Sequence, residues 1–316
     1  MSHLIRLAAV SSIPPAHDHR SNGVDLTGIR EILKNVAKDK PDFVCFPEVC
    51  ACIGGVQLKQ SVAYAPELEP FVAEVGKLAR EFNTALIVPL AERLSGLVYN
   101  SVPIVDRSGK LVLVYRKNYP VIGEMEAGFT PGWEVSVAEC DGVRVGAAVC
   151  FDVNFPQVAA ELERQRARVV FWPSMFWGGR LLHHWALRYG FYVVVSYAAE
   201  SAVIDMSGRY LVQQGLDTYQ VRGKRLPPWA VAEVNADREV FHLDFNLHQF
   251  PAIREKYGPD VEIEVHQPEG FFLLATRRQG LSVEEVAKEF KLETLRDYLA
   301  RSAAVRDQHL RGHPKR

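Results

Sequence analysis

The chain has 316 residues, of which 48% are hydrophobic and 24% charged, with a formal net charge of −1. That balance is ordinary for a globular protein and gives no global attraction to nucleic acid or to an anionic membrane. No apolar run is long enough to span a bilayer, and the start, Met1-Ser2-His3-Leu4-Ile5-Arg6, lacks the apolar core of an export signal. Five cysteines do not make a disulfide framework in a chain of this size, so a reducing cytoplasm is the expected setting.

Taken in chain order, apolar strand-like runs alternate with amphipathic helical ones. Leu4–Val10 reads as a strand. Gly23–Lys38 reads as a helix capped by Asp25, with Leu26, Ile29, Ile32, Leu33 and Val36 at helical spacing. A short buried strand follows at Asp42–Pro47, a helix at Glu67–Phe82 and a strand at Thr84–Leu90. Two hairpins come next: Val98–Val105 with Lys110–Arg116, and Glu134–Cys140 with Val143–Val149 around Asp141-Gly142.

Pro156–Arg166 reads as helix, Arg168–Trp172 as strand, Leu181–Tyr189 as helix and Phe191–Tyr197 as strand. A further hairpin, Ser201–Ile204 with Tyr210–Gln213, and a strand at Trp229–Val234 close the series. The pattern predicts an α/β protein with one large mixed sheet or two stacked sheets covered by helices. The expected main domain is 1–275, with a helical extension at 276–316. That extension starts at the capping box Ser282-Val283-Glu284-Glu285, continues with a short helical segment Leu292–Ala300 and frays over Arg306–Arg316.

Ligands in open α/β sheets bind beyond the carboxyl ends of strands. Three such ends carry reactive groups: Glu48 after Asp42–Pro47, Lys117 after Lys110–Arg116, and Cys150 after Val143–Val149. Cys150 sits where a strand turns toward a proline-started helix, and a helix N-terminus stabilises a thiolate. Cys150 is the candidate nucleophile. Glu48 would accept its proton, protonate the departing amine and then activate water. Lys117 and the Phe151 backbone N–H would face the oxyanion. Singly, each residue is more often bland: a buried cysteine packs as a small hydrophobe, and a loop glutamate or surface lysine is merely solvated. The case rests on all three together.

Phe46-Pro47-Glu48, Tyr115-Arg116-Lys117 and Val149-Cys150-Phe151-Asp152 with Phe155-Pro156 resemble the three signatures of the nitrilase, or carbon–nitrogen hydrolase, superfamily. Tyr99-Asn100-Ser101, Thr130-Pro131-Gly132, Trp172-Pro173-Ser174 and Ile204-Asp205 with Ser207-Gly208 extend the likeness over roughly Leu4 to Val234. The resemblance implies a four-layer αββα sandwich and a Glu48, Lys117, Cys150 catalytic set that needs no metal or organic cofactor. It implies hydrolysis of a non-peptide C–N bond through a thioester, and a homodimer or higher homo-oligomer to which the C-terminal extension contributes. The family often adds a second glutamate before the cysteine. Glu126, nearer the Thr130-Pro131-Gly132 loop, is the preferred candidate and Glu124 the alternative. Asn118-Tyr119-Pro120 after the lysine and Gln157 after the proline depart from the commoner family pattern.

Phe151-Asp152 after the cysteine resembles amidases rather than true nitrilases, so a linear small-molecule amide is the expected substrate. An N-carbamoyl amino acid or amine, or a nitrile, is the alternative. Val153 and Asn154 supply none of the arginines usual for N-carbamoyl-D-amino acids. Ser174, Phe176 and Trp177, with Phe151, are the candidate substrate contacts; plain packing is the competing reading for the aromatic rings. Arg180 could grip a carboxylate, and His183 and His184 read as ordinary helix residues. Three rivals remain: a metal site on Cys50 and Cys52, a weak zinc pattern; a catalytically silent binding protein of the same fold; and a DNA-binding role for Leu281–Leu299, which faintly resembles the opening of a helix-turn-helix but lacks a recognition helix. No nucleic-acid or membrane partner is expected.

Overall fold

The computed structural model describes residues 4–12, 25–50, 58–215, 220–221, 224–225 and 227–311. Contacts divide the chain into Arg6–Glu233 and a second unit made of Met1–Ile5 with Val234–Arg316.

The first unit is built on two sheets. One has seven strands, ordered Trp229–Asn235, Leu4–Val10, Phe43–Cys45, Ala85–Ile87, Leu97–Val105 and Leu90–Leu94, with Leu111–Arg116 also paired to Leu97–Val105. The other has six: Tyr210–Gly215, Glu200–Ile204, Tyr192–Tyr197, Val169–Ser174, Val143–Ala147 and Val137–Cys140. The middle of each sheet is parallel. Leu7 faces Phe43, and Phe43 faces Ala85; in the other sheet Val145 and Tyr192 both face Val169. Parallel neighbours place their carboxyl ends on one edge, which is where the reactive groups collect.

Each sheet buries one face under two helices. Leu33, Val36, Phe71 and Val75 of helices Thr27–Val36 and Leu68–Phe82 pack on Val44 and Leu86. Val158, Leu162, Leu182 and Trp185 of Pro156–Arg164 and Arg180–Tyr189 pack on Val170 and Val193. The opposite faces meet each other: Phe43 and Phe171 have ring centroids 5.8 Å apart, and Ser196 Oγ donates to the Cys45 carbonyl at 2.8 Å. This is the expected helix–sheet–sheet–helix sandwich. Among the described residues no helix is long and apolar enough to cross a membrane.

The boundary expected at 275 falls instead at 233/234. Residues 238–276 are not a continuation of the sandwich. Arg238–His242, Phe271–Thr276 and Val261–His266 form an antiparallel sheet of their own. Phe241, Phe272 and Leu274 form one core with Phe250 and Ile253 of helix Phe250–Tyr257 and Val286 of helix Val283–Phe290. The expected cap holds, since Ser282 Oγ accepts from Glu285 N and Glu285 reaches back to Ser282 N. The last helix, Leu295–Arg311, is longer than predicted and continues through residues read as frayed; 312–316 lie outside the described residues.

Candidate active site

Glu48 lies three residues beyond strand Phe43–Cys45 and is almost fully buried. A carboxylate there must find donors in place of water. Its Oε1 accepts from Asn100 Nδ2 and from Lys117 Nζ, both at 2.8 Å, and its Oε2 accepts from Met175 N at 2.8 Å. Lys117, directly after strand Leu111–Arg116, is 1% exposed. Burial alone would lower the pKa of its ammonium; the carboxylates of Glu48 and Glu124 outweigh that and hold it above the usual range.

The loop Thr130-Pro131-Gly132 fixes this lysine from behind. Gly132 N donates to the Lys117 carbonyl at 2.8 Å, and a Cβ on Gly132 would collide with the Arg116 carbonyl. Only glycine permits so close a backbone crossing.

Glu124 is the glutamate that reaches the lysine. Its Oε2 accepts from Lys117 Nζ at 2.7 Å and from Val121 N at 2.8 Å, and its Oε1 accepts from Asn100 Nδ2 at 2.8 Å. The preference for Glu126 is corrected by helical phase. Both sit on the short helix Ile122–Ala127, but a two-residue step turns the side chain about 200° around the axis; Glu124 is buried and Glu126 exposed.

The six-stranded sheet supplies the sulfur. Cys150 opens a 3-10 turn, Cys150–Asn154, with φ of 48°, a left-handed conformation that costs a non-glycine residue of order 1 kcal/mol. The α-helix begins only at Pro156, so the sulfur does not sit at an α-helix N-terminus. The expected lowering of the thiol is reversed: burial, then the Glu48 charge, push Cys150 up to about 12 against the opposing pull of Lys117, the Ser174 side chain and the Met175 N–H. Cys150 rests as a neutral thiol. Glu48 and Lys117 are hydrogen-bonded to each other, and both act on Cys150 electrostatically.

Two further buried residues, given above only as members of motifs and with no role of their own, hold partners around the site. Asp152, fully buried, accepts from Tyr115 OH at 2.7 Å, Val149 N at 2.8 Å and Tyr119 N at 2.9 Å. It ties the cysteine turn to the segment around Lys117. Burial pushes it up to about 6, against those three donors and Lys117. Asn100 is the other. Its signal was a polar residue inside an apolar strand; its Nδ2 is satisfied by the two carboxylates, while its Oδ1 has no hydrogen-bond partner among the described residues.

The proposed substrate contacts separate into two kinds. Ser174 is buried, and its hydroxyl is engaged with Phe176 N and O at 2.8 Å. Phe151, Phe176 and Trp177 remain 38%, 46% and 53% exposed, with Trp177 edge-on to Tyr197 and Phe151 edge-on to Phe155. A cavity of about 590 Å³ lies nearby between Asn118, Tyr119, Trp133 and Gln157, but none of the four charged or nucleophilic groups lines it. Arg180 and His184 are exposed, and His183 Nδ1 lies 2.6 Å from the Gly208 carbonyl. Cys50 is buried with its sulfur 3.7 Å from the Pro89 carbonyl; Cys52 lies outside the described residues.

Residues 8–232 match the family described as carbon–nitrogen hydrolase. The chain belongs to the carbon–nitrogen hydrolase family. It is similar to N-carbamoylputrescine amidase of Arabidopsis thaliana, 30% identical over 109 residues, which cover 33% of this chain and 36% of that protein. It is also similar to an (R)-stereoselective amidase of Pseudomonas sp., 31% identical over 133 residues covering 41% of this chain and 46% of the relative. In both cases the chain spans less than half the length of the relative. The amidase from Nesterenkonia sp. shares the fold, with a TM-score of 0.59 and 20% identity, covering 75% of this chain and 92% of that one.

Proposed function

We propose that the protein is an amidase that hydrolyses a linear small-molecule amide through a thioester on Cys150. The reading is carried by one observation: a buried carboxylate, Glu48, shares the buried Lys117 with a second buried carboxylate, Glu124. Oε1 of Glu48 is occupied by Asn100 and Lys117, and among the described residues Oε2 holds only Met175 N. The remaining lone pair of Oε2 is the acceptor for the thiol proton.

The proton moves to Glu48 as sulfur bonds the amide carbon, so no standing thiolate is needed. Two of the three Lys117 N–H bonds go to the carboxylates, and the third meets the oxyanion together with Phe151 N–H. Glu48 then protonates the nitrogen, and ammonia or an amine leaves. Water attacks the thioester as Glu48 takes one of its protons, and that proton returns to the sulfur when the acid departs. The open aromatic rings of Phe151, Phe176 and Trp177 form the apolar wall that receives the acyl group.

An N-carbamoyl amine is the second reading, favoured by the likeness to N-carbamoylputrescine amidase; it uses the same steps. A homo-oligomer to which the C-terminal unit contributes, and a reducing cytoplasm that keeps the thiol free, belong to the same proposal. The test is a panel of aliphatic amides, N-carbamoyl amines and nitriles, read by ammonia release and by mass of the trapped enzyme. Ammonia from amides with an acyl adduct on the Cys150 peptide is expected. Binding without turnover would instead identify a silent member of the fold, and release with no adduct would remove the thioester.

A further inference from the structure

We infer that Tyr119 and Phe155 are positioning residues that set which acyl groups this site accepts, by backing the Phe151 ring. The inference rests on the proposed function, which places Phe151 in the acyl wall, and it gives a role to two residues that reading left without one.

Phe151 directly follows the nucleophile and is 38% exposed, so burial does not fix its ring. Contact with other rings does. Phe155 meets it edge-on, with ring centroids 5.6 Å apart and planes at 73°. Tyr119 covers Phe155 in turn, its ring stacked at 3.6 Å and 7°. The three rings form one row that starts at the acyl wall, and rings in such contact hold one another's orientation.

The far end of the row is pinned. Tyr119 N donates to Asp152 Oδ1 at 2.9 Å, and Gln157 Nε2 donates to the Tyr119 hydroxyl oxygen at 2.7 Å. Phe155 N donates to the Asp152 carbonyl at 2.9 Å. Both rings also pack against the core between the six-stranded sheet and its helices. Tyr119 and Gln157 each fall where the sequence departs from the commoner family pattern, and here the two departures meet in one hydrogen bond.

Tyr119 also lines the cavity of about 590 Å³ beside Asn118, Trp133 and Gln157. Without its ring that space would reach the back of Phe155, and a fold closes such a gap only in part. Phe155, and then Phe151, would give way before a bulky acyl group. With the ring in place the wall does not yield, and short, unbranched acyl groups fit it best.

The test compares kcat/KM for propionamide and for phenylacetamide in wild type, Tyr119→Ala, Tyr119→Phe and Phe151→Ala. The ratio of phenylacetamide to propionamide is expected to rise about tenfold in Tyr119→Ala, the scale of an apolar pocket that gains room for extra carbons. Tyr119→Phe restores the ring and should restore the wild-type ratio. A merely structural fault would lower both rates alike. An unmoved ratio in Tyr119→Ala, with a moved one in Phe151→Ala, would therefore overturn the inference.

An unmoved ratio in Phe151→Ala would take Phe151 out of the acyl wall, and the inference with it. If Tyr119→Ala fails to fold, Tyr119→Leu, which keeps bulk without a flat ring, decides by the same ratio. Alkylation of Cys150 by iodoacetamide and by the bulkier α-iodophenylacetamide reads the same selectivity without turnover. A wild-type enzyme inert toward every amide would sink the proposed function, while a shifted alkylation ratio in Tyr119→Ala would still uphold the two rings.

Discussion

The two sheets bring unequal halves to the site. The seven-stranded sheet and the helix that follows it carry the charges, Glu48, Lys117 and Glu124, and every one is locked by donors or acceptors at 2.7–2.8 Å. The six-stranded sheet carries a neutral thiol on a left-handed turn, held through the buried Asp152. Buried charges survive only with partners, because desolvation costs several kcal/mol per ion. A buried thiol has no such cost while it keeps its proton. One half is therefore prepaid in ion pairs and the other stays uncharged until a base is presented with substrate.

The largest expected effect is on the neutral half. Cys150→Ala should remove amide turnover to background while thermal unfolding stays close to wild type, because alanine occupies the same turn and no charge loses its partner. Turnover persisting in that variant, measured as ammonia release, would place the chemistry elsewhere. On the charged half, Glu48→Gln should lower kcat by about 10²–10⁴, the usual weight of a general base. Iodoacetamide should still label Cys150 in this variant, because losing the Glu48 charge removes one of the causes that push the thiol up. Turnover close to wild type would mean that Glu48 is not the base.

Asp152 joins the two halves, and its sign can be worked out. Its folded-state pKa is raised from 3.8 to about 6 by burial. The native state thus binds the proton more tightly than the unfolded chain. This group favours folding below pH 4, and that contribution is lost as pH rises through about 6. Asp152→Asn removes the titration. The stability advantage of wild type over the variant, from urea midpoints, should shrink between pH 4 and pH 7. An advantage that grows over that interval would show that the ionised carboxylate, not the acid, is the better-bound form. Activity of Asp152→Asn should fall about 10–100-fold, the scale expected when a misplaced turn moves a reacting atom.

These particulars also show what the sequence can carry. Leu4–Val10 appears with the same bounds in pattern and structure, because an apolar run at a sheet centre has one good environment. Glu48 and Lys117, which the structure joins by a hydrogen bond, could be picked out because each follows the end of a strand. The thiol's protonation could not, since the direction of the shift depends on burial and on the Glu48 charge, neither of which is local. The second unit was missed although Val261-Glu262-Ile263-Glu264-Val265 alternates cleanly. Alternation marks a strand but does not say which sheet it joins, and the partner of that strand, Phe271–Thr276, is apolar throughout.

The smallest effect is the sharpest test of the charged half. Glu124 and Glu126 are two residues apart on a six-residue helix, too short for periodicity to assign a face. Glu124→Gln would leave Lys117 with one carboxylate instead of two and should cost about 10–100-fold in kcat, chiefly through a less well placed ammonium. Glu126 is exposed, and Glu126→Gln should change kcat/KM by less than about twofold, as for most solvated surface charges. Steady-state kinetics on this pair decide which glutamate belongs with the lysine. A deficit in Glu126→Gln larger than in Glu124→Gln would mean that the hydrogen bonds from Lys117 and Asn100 to Glu124 hold the fold and not the reaction.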